Sequence, residues 1–136
     1  MHAPQEAVLG RIIASVTITN VADESKSLRC DALVDTGTSL MVLPVAWKDR
    51  LGDLQTGGRI ELETATQETV MGEVCGPVRI QVEGFRQIFS EVMFVEMKPA
   101  DGIYEPLIGY IVLEQSQAGV DMLGHRLVPV KHMDLK

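Results

Sequence analysis

One stretch of this chain combines residue types that could do chemistry: Ala32-Leu33-Val34-Asp35-Thr36-Gly37-Thr38-Ser39-Leu40-Met41-Val42-Leu43. Asp35 sits between two apolar strands, where a carboxylate is costly unless it is paired or hydrogen-bonded. Gly37 lets the backbone turn sharply and approach a neighbour without a Cβ, while Thr36 and Thr38 carry hydroxyls suited to anchoring the loop and orienting the carboxylate. A carboxylate held this way is equipped for acid–base work. The plainer alternative is a tight turn in which Asp35 is satisfied by its own loop amides.

Other candidates are poorer. Ser39 and Cys75 lie in no nucleophile elbow and have no evident His partner. Gly57-Gly58 lacks the Lys and spacing of a phosphate-binding loop and is expected to be a hairpin turn. His2, His125 and His132 show no metal-ligand spacing, and Cys30 and Cys75 are far apart, so neither a metal nor an organic cofactor is expected. Glu61 and Glu63 alternate with Ile60 and Leu62, the pattern of a solvated strand face, and Asp121 is expected to be an outward strand residue.

The elements that must position Asp35 follow from periodicity. Ile12, Ala14, Val16 and Ile18 alternate with Ile13, Ser15, Thr17 and Thr19 at period two, a polar stretch turns the chain, and residues 28–34 return as a strand. Residues 40–43 form the next strand, and Pro44 can open a short helix over residues 45–51. A meander follows from Gly57-Gly58, with a polar tip near residues 65–68 and a break at Gly76-Pro77. Val78, Ile80 and Val82 alternate next, Gly84 turns the chain into residues 85–97, and a loop leads to Leu107-Ile108-Gly109. A short helix over residues 110–116, ended by Gly119, precedes two strands around Gly124-His125.

Short strands with turn signals every ~8 to 12 residues are the mark of an all-β barrel or sandwich. No tandem repeat is evident, although an apolar pair, a Gly-containing turn and a short helix occur once after Leu33-Val34 and again after Leu107-Ile108.

With 136 residues and 46% hydrophobic residues, the chain can build a core, and a β-branched bias favours strands over a helical bundle. Twelve basic against 19 acidic residues give a net charge of −7, which argues against a nucleic-acid partner. No apolar run is long enough for a membrane span and no secretory signal is evident, so a cytoplasmic protein without a membrane partner is expected. Cys30 and Cys75 are expected to be thiols, with a disulfide between them open.

The run from Leu33 to Ser39, with Leu107-Ile108-Gly109 about 70 residues later and before a short helix, resembles the retropepsin-like (retroviral-type, clan AA) aspartic proteases. The resemblance is closest to their small cellular and prokaryotic single-domain members. It implies a closed all-β barrel with one or two short helices, with residues 1–9 as a tail and 10–136 as a single protease domain. It also implies that Asp35 is catalytic, that Thr36, Gly37 and Thr38 support its loop, and that Leu107, Ile108 and Gly109 pack behind that loop. A flap over about residues 62–74 would cover the substrate, its tip at Ala65, Thr66 and Gln67.

An aspartic protease needs two carboxylates, and this chain has one Asp-Thr-Gly. The resemblance therefore implies a homodimer with Asp35 and its mate on the two-fold axis, acting on a peptide or protein substrate. Family members usually carry Arg after the Ile-Gly pair and Asp four residues beyond the catalytic Asp; here Tyr110 and Ser39 stand there, and the flap tip has no Gly. The alternatives are a protease-fold binding or assembly module that does not cleave, and a monomeric barrel in which Asp-Thr-Gly is only a turn.

Overall fold

The computed structural model describes residues 11–63 and 68–130, so the expected tail and the expected flap tip at Ala65, Thr66 and Gln67 lie outside the described residues. The alternating segments form an antiparallel pair, β1 (Ile13–Asn20) and β2 (Ser27–Val34), with Val16 opposite Cys30. Asn20 fixes the turn between them. Its amide nitrogen donates to the carbonyls of Leu51 and Asp53, both at 2.8 Å, and its oxygen accepts the Ala22 N–H at 2.8 Å. Asn20 is buried, and these bonds satisfy a polar group that would otherwise be costly to enclose.

Strand β3 (Met41–Pro44) leads into a 3-10 helix (Val45–Leu51), which begins after Pro44 as expected. Then come β4 (Gln55–Glu63), β5 (Thr69–Val82), β6 (Ile88–Val95) and the two-residue β7 (Leu107–Ile108). Helix α1 (Tyr110–Ser116) and a separate hairpin of β8 (Ala118–Asp121) and β9 (Arg126–Pro129) complete the described chain.

The seven-stranded sheet runs β1-β2-β7-β3-β6-β5-β4, and an additional pairing of β1 with β5, in which Ile18 faces Ile80, closes six of its strands into a barrel. Val16, Ile18, Met41, Leu43, Val78, Ile80, Val92, Phe94 and Ile108 fill its interior. Among the described residues no helix is long and apolar enough to cross a membrane.

Two expected breaks are bulges inside strands. Gly57 and Gly58 lie within β4, where the register against β5 shifts between Thr56 and Gly58. Gly76 and Pro77 lie within β5, which runs on for 14 residues. At that point β5 exchanges β4, its partner through Gly76, for β1, its partner from Val78, and its register against β6 shifts. Pro has no N–H to give to a ladder, and a bulge is where a sheet tolerates it. Helix α1 spans the expected residues, but Gln117 and not Gly119 ends it. Gln117 takes the left-handed conformation (φ 59°) and donates its N–H to the Glu114 carbonyl at 3.1 Å, while Gly119 lies in β8. Asp121 is half-buried and closes the β8–β9 turn, accepting the Gly124 N–H at 2.9 Å and Arg126 Nε at 3.3 Å.

Ile18 is fully buried at the seam where the barrel closes. Ile18→Ala is expected to lower the stability by about 2–5 kcal/mol, read from urea denaturation, with the folded chain otherwise unchanged.

Candidate functional site

Asp35 is the first residue after β2, and the backbone around it is held from two sides. Val34 donates its N–H to the Ile12 carbonyl at 2.8 Å, Leu33 donates to Pro106 at 2.9 Å, and Asp35 donates to Ile108 at 2.9 Å. The first of these bonds extends the antiparallel pairing of β1 with β2, and the other two extend the parallel pairing of β2 with β7, where Leu33 faces Leu107 and Val34 faces Ile108. The apolar pair expected behind the loop is thus beside it. Ile108 is fully buried in the barrel core, and Leu107 is half-buried and turned to the cleft.

Past Asp35 the loop closes on itself. The Gly37 N–H donates to Asp35 Oδ1 at 2.9 Å, and the Thr38 N–H donates to the Asp35 carbonyl at 3.2 Å. The hydroxyls expected to orient the carboxylate make no hydrogen bond to it among the described residues; the backbone amide of Gly37 does. Thr36 is exposed and Thr38 half-buried.

The loop then docks on α1. A helix leaves its first N–H groups without partners inside the helix, and its N-cap, Gly109, has no side chain to supply one. The carbonyls of Thr38 and Ser39 take that role, accepting the N–H groups of Tyr110 at 2.9 Å and Ile111 at 3.0 Å. Gly109 is buried so tightly against this loop that a Cβ there would overlap the carbonyl group of Ser39 and the carbonyl oxygen of Leu40. Backbone cannot yield as a flexible side chain can, so the position admits only Gly.

The Asp35 carboxylate opens on a cleft of about 780 Å³, within the range of small-molecule and peptide sites. Its apolar wall includes Val42, Val70, Met93, Val95, Met97 and Leu107, and its polar rim includes Glu96, Lys98 and Glu105, the last ion-paired to Arg11. Most of the wall belongs to a second apolar cluster, built on Val42, Val74, Met93 and Val95 and distinct from the barrel interior. On β6, Val92 and Phe94 point into the barrel while Met93 and Val95 point to this cluster; on β3, Met41 and Leu43 point inward and Val42 outward. Sequence reasoning missed these residues. Their signal is the unbroken apolar runs of residues 40–43 and 92–95, since a strand covered on one face alternates and a strand covered on both does not.

The hairpin of β4 and β5 occupies the expected flap position, and its Ile60 and Val70 reach the cleft. Its base is tied to the 3-10 helix by the Lys48–Glu73 ion pair, with Thr56 Oγ1 donating to Glu73 at 3.3 Å. The bond from Lys48 holds the Glu73 carboxyl below its ordinary value. Both cysteines are free thiols. Burial, reinforced by Asp31, pushes Cys30 up to about 11, and burial also raises Cys75, so neither supplies a thiolate near neutral pH.

Gly109→Ala tests the docking of the loop on α1. It is expected to cost about 2–4 kcal/mol in denaturant unfolding, because Ser39 and α1 must part to admit a methyl group.

No protein-family model and no curated protein matches the chain. Among solved structures it is similar to EIAV protease complexed with the inhibitor HBY-793, with a TM-score of 0.54 and 22% identity, covering 76% of this chain and 86% of that one. At that identity the likeness is one of fold. The chain has a retropepsin-like protease fold, closed into a barrel as its strand periodicity and its Asp-Thr-Gly loop imply.

Proposed function

We propose that this chain is an aspartic endopeptidase whose active site is assembled by two identical chains. The observation that carries the reading is that Asp35 lines an apolar cleft of about 780 Å³, on a loop whose backbone is pinned by Ile108 and α1; the Gly37 N–H bond to its carboxylate suits a plain turn equally well. The likeness in fold to a protease supports it.

One carboxylate is half of the machinery. In the dimer, Asp35 and its mate would face each other across the two-fold axis, an isologous contact in which each chain supplies the same surface. Two carboxylates brought to about 3 Å cannot both ionise, so the pair would hold one proton. The ionised member takes a proton from water as the oxygen attacks the peptide carbonyl carbon, and the protonated member gives its proton to the carbonyl oxygen. In the collapse of the gem-diol intermediate the C–N bond breaks as the member that took the proton from water gives it to the leaving nitrogen and the other member takes a proton from a diol hydroxyl, so the pair again holds one proton. Such a pair titrates as a unit, with a bell-shaped dependence of rate on pH. An extended peptide would lie along the cleft beneath the β4–β5 hairpins, its backbone held by strand-like hydrogen bonds and its side chains by apolar pockets.

The test uses the purified chain and a diverse peptide mixture, from acidic to neutral pH, beside Asp35→Asn, with products identified by mass spectrometry. Cleavage by the unaltered chain and a loss of about a thousandfold or more in Asp35→Asn is the expected result. Cleavage that persists in Asp35→Asn overturns the assignment. Peptide binding without cleavage by either chain points instead to a protease-fold binding module.

A further inference from the structure

We infer that Gly72 and Met93 together set how large an apolar side chain the cleft admits, an inference that rests on the peptidase reading above. Residues at spacing two on a strand share a face, and β5 turns Val70, Gly72 and Val74 towards the second apolar cluster. Val70 and Val74 contribute side chains to that face, and Gly72 leaves a gap between them. Gly72 is not in the left-handed backbone region, so no conformational demand explains it. Packing does. Gly72 lies opposite Val95 of β6, two residues from Met93, and diagonal neighbours on paired strands lie within reach of long side chains.

The thioether of Met93 occupies the gap: a Cβ on Gly72 would lie 2.5 Å from its sulfur and 2.8 Å from its Cγ. Met93 also lines the cleft that holds Asp35. With the thioether tucked over Gly72, Met93 stays nearly flush with the wall, 2% exposed. A methyl group at position 72 meets the middle and end of the Met93 side chain and, at 3.2 Å, Cγ1 of Val95; the Met93 chain, unbranched and flexible, is the one that yields, and the open volume beside it is the cleft. This differs from Gly109, where the obstruction is backbone.

Gly72→Ala is therefore expected to fold and to move the Met93 side chain into the cleft. The cleavage preference at one substrate position shifts from large residues (Leu, Phe, Met) towards Ala and Val, with the ratio of kcat/KM values for large over small falling about tenfold. Met93→Ala shifts it the other way. In the Met93→Ala background Gly72→Ala has little further effect, because the first substitution removes the group through which the second acts.

The experiment profiles cleavage sites in the same peptide mixture with the unaltered chain, both single variants and the double variant, thermal unfolding confirming that each is folded. The size shift and its loss in the double variant support the inference. Asp35-dependent cleavage with an unchanged size preference in Met93→Ala and Gly72→Ala overturns it and leaves the peptidase reading standing. If no Asp35-dependent cleavage occurs, the methyl-13C signal of Met93 is followed while peptides carrying Ala, Leu or Phe are added. A size-dependent response that changes in Gly72→Ala keeps the pocket and overturns hydrolysis, and no response overturns both.

Discussion

The backbone of Gly109 lies in direct contact with the backbone of Ser39 and Leu40, and the rest of the site depends on that approach. The contact allows the first amides of α1 to reach the carbonyls of Thr38 and Ser39, which fixes the far side of the Asp35 loop. On the near side, β7 lies between β2 and β3, parallel to one and antiparallel to the other. A strand of two residues contributes little by its length. Its position is what matters, because the Ile108 carbonyl takes the Asp35 N–H while the Ile108 side chain fills the core. Barrel packing and carboxylate position are thus coupled through one residue.

A second constraint follows from strands that are covered on both faces. Where β3 and β6 run parallel, alternate residues fill the barrel or build the outer apolar cluster. The cleft wall is therefore the reverse side of core strands rather than a set of loops, and sites built on rigid elements hold their geometry better than sites on loops. The β4–β5 hairpin differs. It shares β5 with the barrel, leaves β4 outside the closed ring, and is tied at its base by Lys48 and Glu73. The wall and the hairpin meet at Gly72, which pairs with Ile60 on one side and Val95 on the other.

Much of this was legible in the sequence. Asp35 stood out because an ionisable residue in an apolar run demands a structural reason, and the strands around it declared themselves by alternation. What stayed hidden depends on partners distant in the chain. Gly57-Gly58 and Gly76-Pro77 carry the same local signal whether the chain turns or bulges, and only the neighbouring strands decide between the two. The hydroxyls of Thr36 and Thr38 suggested themselves as supports for Asp35, yet it is the Gly37 N–H that bonds the carboxylate, and sequence does not rank a side chain against a backbone amide. Gly109 was legible as part of a motif but not as a collision with Ser39, which lies 70 residues earlier. Met93 and Val95 went unmarked within an apolar run whose other half, Val92 and Phe94, fills the barrel.

The central claim is that two copies of Asp35 form one active site, and a mixing titration tests it most directly. Unaltered chain and Asp35→Asn are combined in varying proportion at constant total concentration, with time for subunits to exchange, and the rate of peptide cleavage is measured. A shared pair predicts a rate that follows the square of the unaltered fraction, about a quarter of the full rate in an equal mixture. A rate that falls linearly, to about a half in the equal mixture, would contradict it, because each chain would then be acting alone.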